Sequence, residues 1–189
     1  MSTASAWSVA LNGIEGAMVE VEVAEGGGLP RTVLVGLPDA ALSQAKERVR
    51  AAVTGAELPW PNGLVTINLS PANLPKTGTH YDLAIATAAL AAIDKVPKEA
   101  ARNHVCLGEL GLDGRLRRVP GILPALLAAV RSGFDKAIVP ASQEAEASLV
   151  PGVTVWAIGH LKDLVAVLNG EPPLGGWEPP GDEDVASRQ

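Results

Sequence analysis

The first third of the chain is written in alternation. From Met18 to Ala24 the order Met-Val-Glu-Val-Glu-Val-Ala sets apolar and polar residues in turn, the period-two signature of a strand with one wet face. Ala6 to Leu11 predicts a partner strand, joined to it by a turn through Gly13 and Gly16. After the loop Gly26-Gly-Gly-Leu-Pro, a third strand is expected over Thr32 to Gly36. The period then changes. Pro38-Asp39 opens a helix with Asp39 as N-cap or first-turn acid, and Leu42, Ala45, Val49 and Val53 fall on one stripe. Lys46 and Arg50 lie outside that stripe, and Gly55 marks the stop.

Leu64 to Leu69 predicts a fourth strand and Ser70 to Thr79 a Pro-punctuated loop. Tyr81 to Ile93 is almost entirely apolar, as in a helix buried on most sides. Val105 to Leu112 and Arg115 to Val119 read as a hairpin around Asp113-Gly114, a residue pair suited to a type I′ turn. Then come a helix over Ile122 to Arg131, a strand over Lys136 to Val139 and a helix over Ser142 to Leu149. A strand over Val153 to Ile158 and a helix over Leu161 to Leu168, ended by Asn169-Gly170, complete the order. Hairpins early and strand–helix alternation late predict an α/β (α+β) domain over residues 1–170, a mixed sheet with packed helices. Residues 171–189 are rich in Pro, Gly and acid and read as a linker or tail.

Composition narrows the picture. Hydrophobic residues make up 47% and charged ones 19%, which excludes disorder over most of the length. Aromatics are only 3%, so the core is expected to be aliphatic. A formal net charge of −6 argues against a cationic nucleic-acid binder as a whole. Cys106 is the only cysteine and sits in an apolar run, which predicts a buried, inert thiol and excludes a paired-cysteine zinc site. No signal-type N-terminus and no apolar run near the ~20 residues of a membrane helix is present, so the expected compartment is the cytoplasm, with no membrane partner.

Catalytic and cofactor signatures are missing. Lys76-Thr77 looks like the end of a phosphate loop, but Leu74-Pro75 stands where the glycine cradle belongs. Leu74-Pro-Lys-Thr-Gly78 spells a sorting signal, but it is internal in a chain without a secretion signal. His80, His104 and His160 have no ligand-type neighbours at helical spacing, so no metal site is expected. Two features stand out. His80, Tyr81 and Asp82 cluster at the start of the apolar helix, where they serve either as caps and dipole partners or as a binding site. Arg115 and Arg117 share one face of a strand, a small basic spot that is either simply solvated or faces an acidic partner, a nucleic-acid backbone or an adjoining domain.

Several long motifs resemble, in order, the N-terminal domain of the ComM/YifB family of magnesium-chelatase-like AAA+ ATPases. They are Trp7-Ser-Val-Ala-Leu, Val35-Gly-Leu-Pro-Asp-Ala-Ala-Leu, Arg48-Val-Arg-Ala-Ala-Val, Val65-Thr-Ile-Asn-Leu-Ser-Pro-Ala-Asn-Leu-Pro-Lys, Tyr81-Asp-Leu-Ala-Ile-Ala and the run from Gly108 to Pro124. The resemblance spans Ala6 to Gly170. It implies a ribosomal protein S5 domain 2-like fold, shared with the proteolytic domain of Lon and the C-terminal domain of RadA. It also implies an AAA+ domain beyond this chain that binds ATP and Mg, no cofactor within this chain, and a role in branch migration as a hexameric ring during recombination and natural transformation. The implied partners are that AAA+ domain, neighbouring protomers and DNA.

The Lon comparison carries over residue by residue. Lon's serine follows a Pro-Lys-x-Gly segment by two residues; Pro75-Lys-Thr-Gly78 matches, and His80 stands in the serine's place. Lon's lysine follows a Gly-Glu-Ile…Gly-Gly-Leu segment; Gly108-Glu-Leu and Gly121-Ile match, and Leu123 stands in the lysine's place. Serine–lysine chemistry needs a hydroxyl and an amine that exchanges a proton, and leucine has none to exchange. Thr79 is expected to point elsewhere, and Lys76 would need a rearranged loop to serve it. The resemblance therefore implies a non-catalytic accessory domain, with Lys76, His80, Tyr81, Asp82, Arg115 and Arg117 as candidate interaction residues. The competing readings are a diverged Lon-like peptidase and a subunit of magnesium chelatase type.

Overall fold

A computed structural model describes residues 2–175. Its centre is the long hairpin of β1 (Ser2–Asn12) and β2 (Glu15–Gly26), paired from Ser2↔Glu25 to Asn12↔Glu15. Both strands run further than the alternation predicts. Gly16 belongs to β2 rather than to the turn, paired with Leu11, and α5 (Ile122–Arg131) crosses so close that a Cβ on Gly16 would stand 2.6 Å from that of Ala128. Outside β2 lie β4 (Leu64–Ser70), antiparallel to it, and β3 (Arg31–Val35), parallel to β4. On the other side of β1 come β5 (Val105–Cys106), β8 (Lys136–Pro140) and β9 (Thr154–Ile158), all parallel. The result is a seven-stranded mixed sheet in the order β3-β4-β2-β1-β5-β8-β9, the α/β architecture the sequence predicts. The β1–β5 junction is short: Trp7↔Val105 is its register pair, supported by the Ser8 hydroxyl donating to the Cys106 carbonyl at 3.0 Å.

The alternating valines set the two faces. Val19, Val21 and Val23 of β2, with Ile67 and Leu69 of β4, are fully buried beneath α2 (Ala45–Gly55) and α3 (Asp82–Ala92). Every residue of α3 is buried, which its alanines allow by letting the helix lie close to both sheet and neighbours. On the opposite face α5 covers Val9, Val105, Leu107, Ala137 and Val139. Cys106 is a buried free thiol, and burial pushes its pKa up to about 12.

Four local expectations change. The helix opened by Asp39 is broken into α1 (Ala40–Ser43) and α2 at Gln44. Val105–Cys106 joins the main sheet, and the hairpin is instead β6 (Glu109–Leu110) with β7 (Leu116–Arg117), a separate two-stranded ribbon. Its tip is not type I′, which needs positive φ at both central residues. Gly111 N donates to the Arg115 carbonyl and Gly114 N to the Gly111 carbonyl, with Gly114 at φ 90 and Asp113 outside the left-handed region. The helix expected over Ser142 to Leu149 is a 3-10 turn, Ala141–Gln143, followed by α6 (Glu144–Ala147). A short helix, α4 (Lys98–Arg102), lies in a stretch where none was expected, and α7 (Leu161–Leu168) is the last. Beyond Gly170 the described residues end at Gly175, so most of the expected linker lies outside them. Among the described residues no helix is long and apolar enough to cross a membrane, and no group of His, Cys, Asp and Glu is arranged to hold a metal.

Candidate functional site

The site grows from two glycine-bearing loops that meet. Gly36, between β3 and α1, has φ 117, and a Cβ there would stand 2.3 Å from the Leu69 carbonyl oxygen, so only glycine lets the loop lie against the end of β4. The loop then pairs with the one after β4: Lys76 N donates to Leu37 O at 3.0 Å and Asp39 N to Lys76 O at 2.9 Å. Asp39 joins them further. One carboxylate oxygen caps α1 by accepting from Leu42 N at 2.8 Å, and the other accepts from Gly78 N at 3.2 Å. Lys76 is fully buried, and its ammonium donates to the carbonyls of Gly36 (2.7 Å), Leu69 (3.1 Å) and Pro71. Burial pushes its pKa down, while three inward carbonyls are acceptors suited to the charged form. Its charge is directed into the chain's own backbone.

His80, Tyr81 and Asp82 then turn the chain into α3, each differently placed. The His80 ring stacks on Tyr81 with centroids 4.1 Å apart, and its Nε2 lies 2.6 Å from the Val9 carbonyl. A carbonyl only accepts, so Nε2 carries the proton; burial lowers the pKa and favours the neutral ring. Tyr81 is fully buried, and its hydroxyl has no hydrogen-bond partner among the described residues. Burial raises its pKa, and the charge of Asp39 adds to the effect. Asp82 does not cap its own helix. It accepts from Arg48 Nε and Nη2, both at 2.7 Å, and from Leu110 N at 3.0 Å, tying α2, α3 and β6 together. Burial pushes the Asp82 carboxyl up against the pull of Arg48 and the Leu110 N–H, while the hydrogen bond to Asp82 raises Arg48.

The segment from Gly108 runs alongside. Gly108 N donates to His80 O and Leu83 N to Gly108 O, both at 3.1 Å, and the Thr79 hydroxyl donates to Glu109 at 2.7 Å. Leu123, on the first turn of α5, is half-buried against the cluster that contains Val9. Val9 thus lies beside both residues: its carbonyl faces His80, and its side chain lies in the cluster Leu123 borders. Arg117 stands opposite Glu109 in the β6–β7 register, with Arg115 exposed and Leu116 buried between them. Arg115 Nε is 3.4 Å from Asp113, so the basic spot carries its own acidic neighbours. The residues that the sequence reading did not single out are Arg48 and Glu109. A carboxylate at the head of a wholly apolar helix demands a countercharge, which is the signal that points to Arg48.

The family model described as subunit ChlI of Mg-chelatase matches residues 19–143. An uncharacterised protein of Mycobacterium tuberculosis is 49% identical over 176 residues, covering 93% of this chain and 35% of its own length. The competence protein ComM of Haemophilus influenzae is 39% identical over 175 residues, covering 92% and 34% respectively. The uncharacterised YifB of Escherichia coli is 38% identical over 176 residues, covering 93% and 34%. The chain spans about a third of the length of these relatives. A family match over residues 19–143, with relatives 38–39% identical over more than nine-tenths of the chain, places the chain in the magnesium-chelatase-like family to which ComM and YifB also belong.

Proposed function

We propose that this chain is a non-catalytic accessory domain at the front of a longer, cytoplasmic AAA+ ATPase of ComM type, assisting ring assembly and DNA engagement in branch migration. ATP and Mg would be held by the AAA+ part, not by these residues. One observation carries the non-catalytic reading. Where a Lon-like peptidase needs a hydroxyl and a proton-exchanging amine, this chain has His80 directed at the Val9 carbonyl and the aliphatic Leu123. The nearby Lys76 is engaged by three carbonyls and Thr79 by Glu109, so neither stands in as a substitute. Steady cleavage of unfolded casein by pure protein would overturn this reading.

Arg115 and Arg117, on the separate ribbon, are the contact assigned to neighbouring protomers or DNA. The test is the double change Arg115→Glu and Arg117→Glu in the full-length protein. Loss of ring assembly or of salt-sensitive DNA binding is expected, and intact branch migration would remove the role given to this pair. The matched family description favours one further reading, a subunit assisting metal insertion into a porphyrin. An insertion assay with the full-length protein and its partner subunits distinguishes it, since a true chelatase subunit gives metalloporphyrin and a DNA motor gives none.

A further inference from the structure

The tip of the β6–β7 ribbon is a surface turn, and turns of that kind are ordinarily among the more mobile parts of a fold. Here its backbone is fixed from two sides. Gly55, at the end of α2, lies so close beneath it that a Cβ there would stand 2.2 Å from the Leu112 carbonyl oxygen. A Cβ on Gly114 would in turn stand 2.8 Å from that of Ala56. From the other side His160, the N-cap of α7, sets its Nε2 3.0 Å from the Asp113 carbonyl, and Leu161 N donates to Gly114 O at 2.9 Å. The backbone is clamped, yet the Leu112 side chain is 65% exposed. An apolar side chain presented from a backbone already ordered has little conformational freedom left to lose on docking.

The path of the chain gives that side chain a partner. Asp163, buried in the first turn of α7, accepts from Leu174 N at 2.7 Å and from Gly175 N at 3.2 Å. The segment after α7 is thereby folded back to the beginning of that helix. That is the same helix start whose His160 and Leu161 hold the ribbon tip. Leu174 is 66% exposed at this corner. We infer that the ribbon tip, with Leu112 at its apex, is the docking surface for the polypeptide that follows this chain in the longer protein. The inference rests on the reading that such a following domain exists; the relatives are about three times as long as this chain. Tethering at Asp163 favours that occupant over a second copy, because a segment joined to the chain meets its site at a higher effective concentration than a separate molecule does. An apolar apex suits a protein surface better than a phosphate backbone.

The experiment uses accessible thiols. Cys106 is buried and is the chain's only cysteine, so Leu112→Cys introduces one reactive position. Ile14→Cys, at the exposed turn of the β1–β2 hairpin, is the reference. Each is made in this chain and in the full-length protein, and maleimide labelling is followed by mass spectrometry of the peptide carrying the thiol. Labelling at position 112 is expected to slow by about tenfold or more in the full-length protein while position 14 is unchanged, as exclusion of water from a docked contact requires. Equal rates at 112 in both lengths, or equal slowing at 112 and 14, overturns the docking surface. The AAA+ reading fails separately: a full-length protein that does not hydrolyse ATP but protects position 112 sinks that reading and keeps the docking.

Discussion

Arg48 grips Asp82 in a two-pronged ion pair, Nε to Oδ2 and Nη2 to Oδ1, both at 2.7 Å, with the aspartate side chain wholly buried and the arginine 18% exposed. A third donor, Leu110 N, brings the ribbon into the same knot. A buried charge that loses its partner retains its desolvation cost, so the pair is expected to behave very differently when cut singly and when replaced whole.

Arg48→Met or Asp82→Ala alone should lower stability by about 3–5 kcal/mol. Arg48→Met combined with Asp82→Leu, which removes both charges, should recover most of that loss. Urea titrations of the three variants measure it, and single changes that cost under about 1 kcal/mol would show the pair to be solvated.

Tyr81 offers the opposite case. Its hydroxyl is buried without a hydrogen-bond partner, so Tyr81→Phe removes an unsatisfied group and keeps the ring that stacks on His80. Thermal denaturation should show the variant equal to or more stable than the parent. A drop of about 2 kcal/mol would mean that the hydroxyl has a partner worth keeping.

Acid should loosen the domain through its histidines. Burial pushes His80 and His104 below the ordinary 6.5, so the unfolded chain binds more protons than the folded one as pH falls past that value. Their contribution is full above 6.5 and declines on acidification until the lowered folded-state pKa has been passed. Urea midpoints taken at intervals below neutrality should fall, and His80→Gln should flatten part of the slope. A slope unaltered by His80→Gln would assign the effect to other groups.

Cys106 reports on opening. With its thiol buried and its pKa near 12, Cys106 should resist a thiol reagent at mildly alkaline pH and react only when α3, whose Thr87 hydroxyl lies 3.7 Å from its sulfur, lifts from β5. Rising reactivity at urea concentrations too low for global unfolding would reveal that local event; a rate tracking global unfolding alone would place β5 in the most stable part of the fold.

Legibility followed the physics of each element. The hairpin at the centre was readable because Val19, Val21 and Val23 alternate with exposed or half-exposed residues, and α5 and α7 because their apolar stripes have helical period. Val105–Cys106 was misplaced because a fully buried parallel strand is a continuous apolar run and carries no period to assign it. The site was readable as a cluster, His80-Tyr81-Asp82 at a helix start, but not as a set of contacts. Whether Asp82 meets its own helix or Arg48 depends on how α2 packs, thirty-odd residues away, and nothing local encodes that. Lys76 reads only as a candidate interaction residue, and its burial is hidden for the same reason, since the three carbonyls around it come from two loops and the end of a strand.

The short β1–β5 junction has a consequence for the order of assembly. The four strands on one side of it, β3, β4, β2 and β1, are complete within the first seventy residues, whereas β5, β8 and β9 all follow Val105. During synthesis the first plate can form and pair internally while its β1 edge still lies open, and the second plate is stitched to it at Trp7 only afterwards. The strand that sits in the middle of the finished sheet is therefore, for part of the chain's growth, a raw edge.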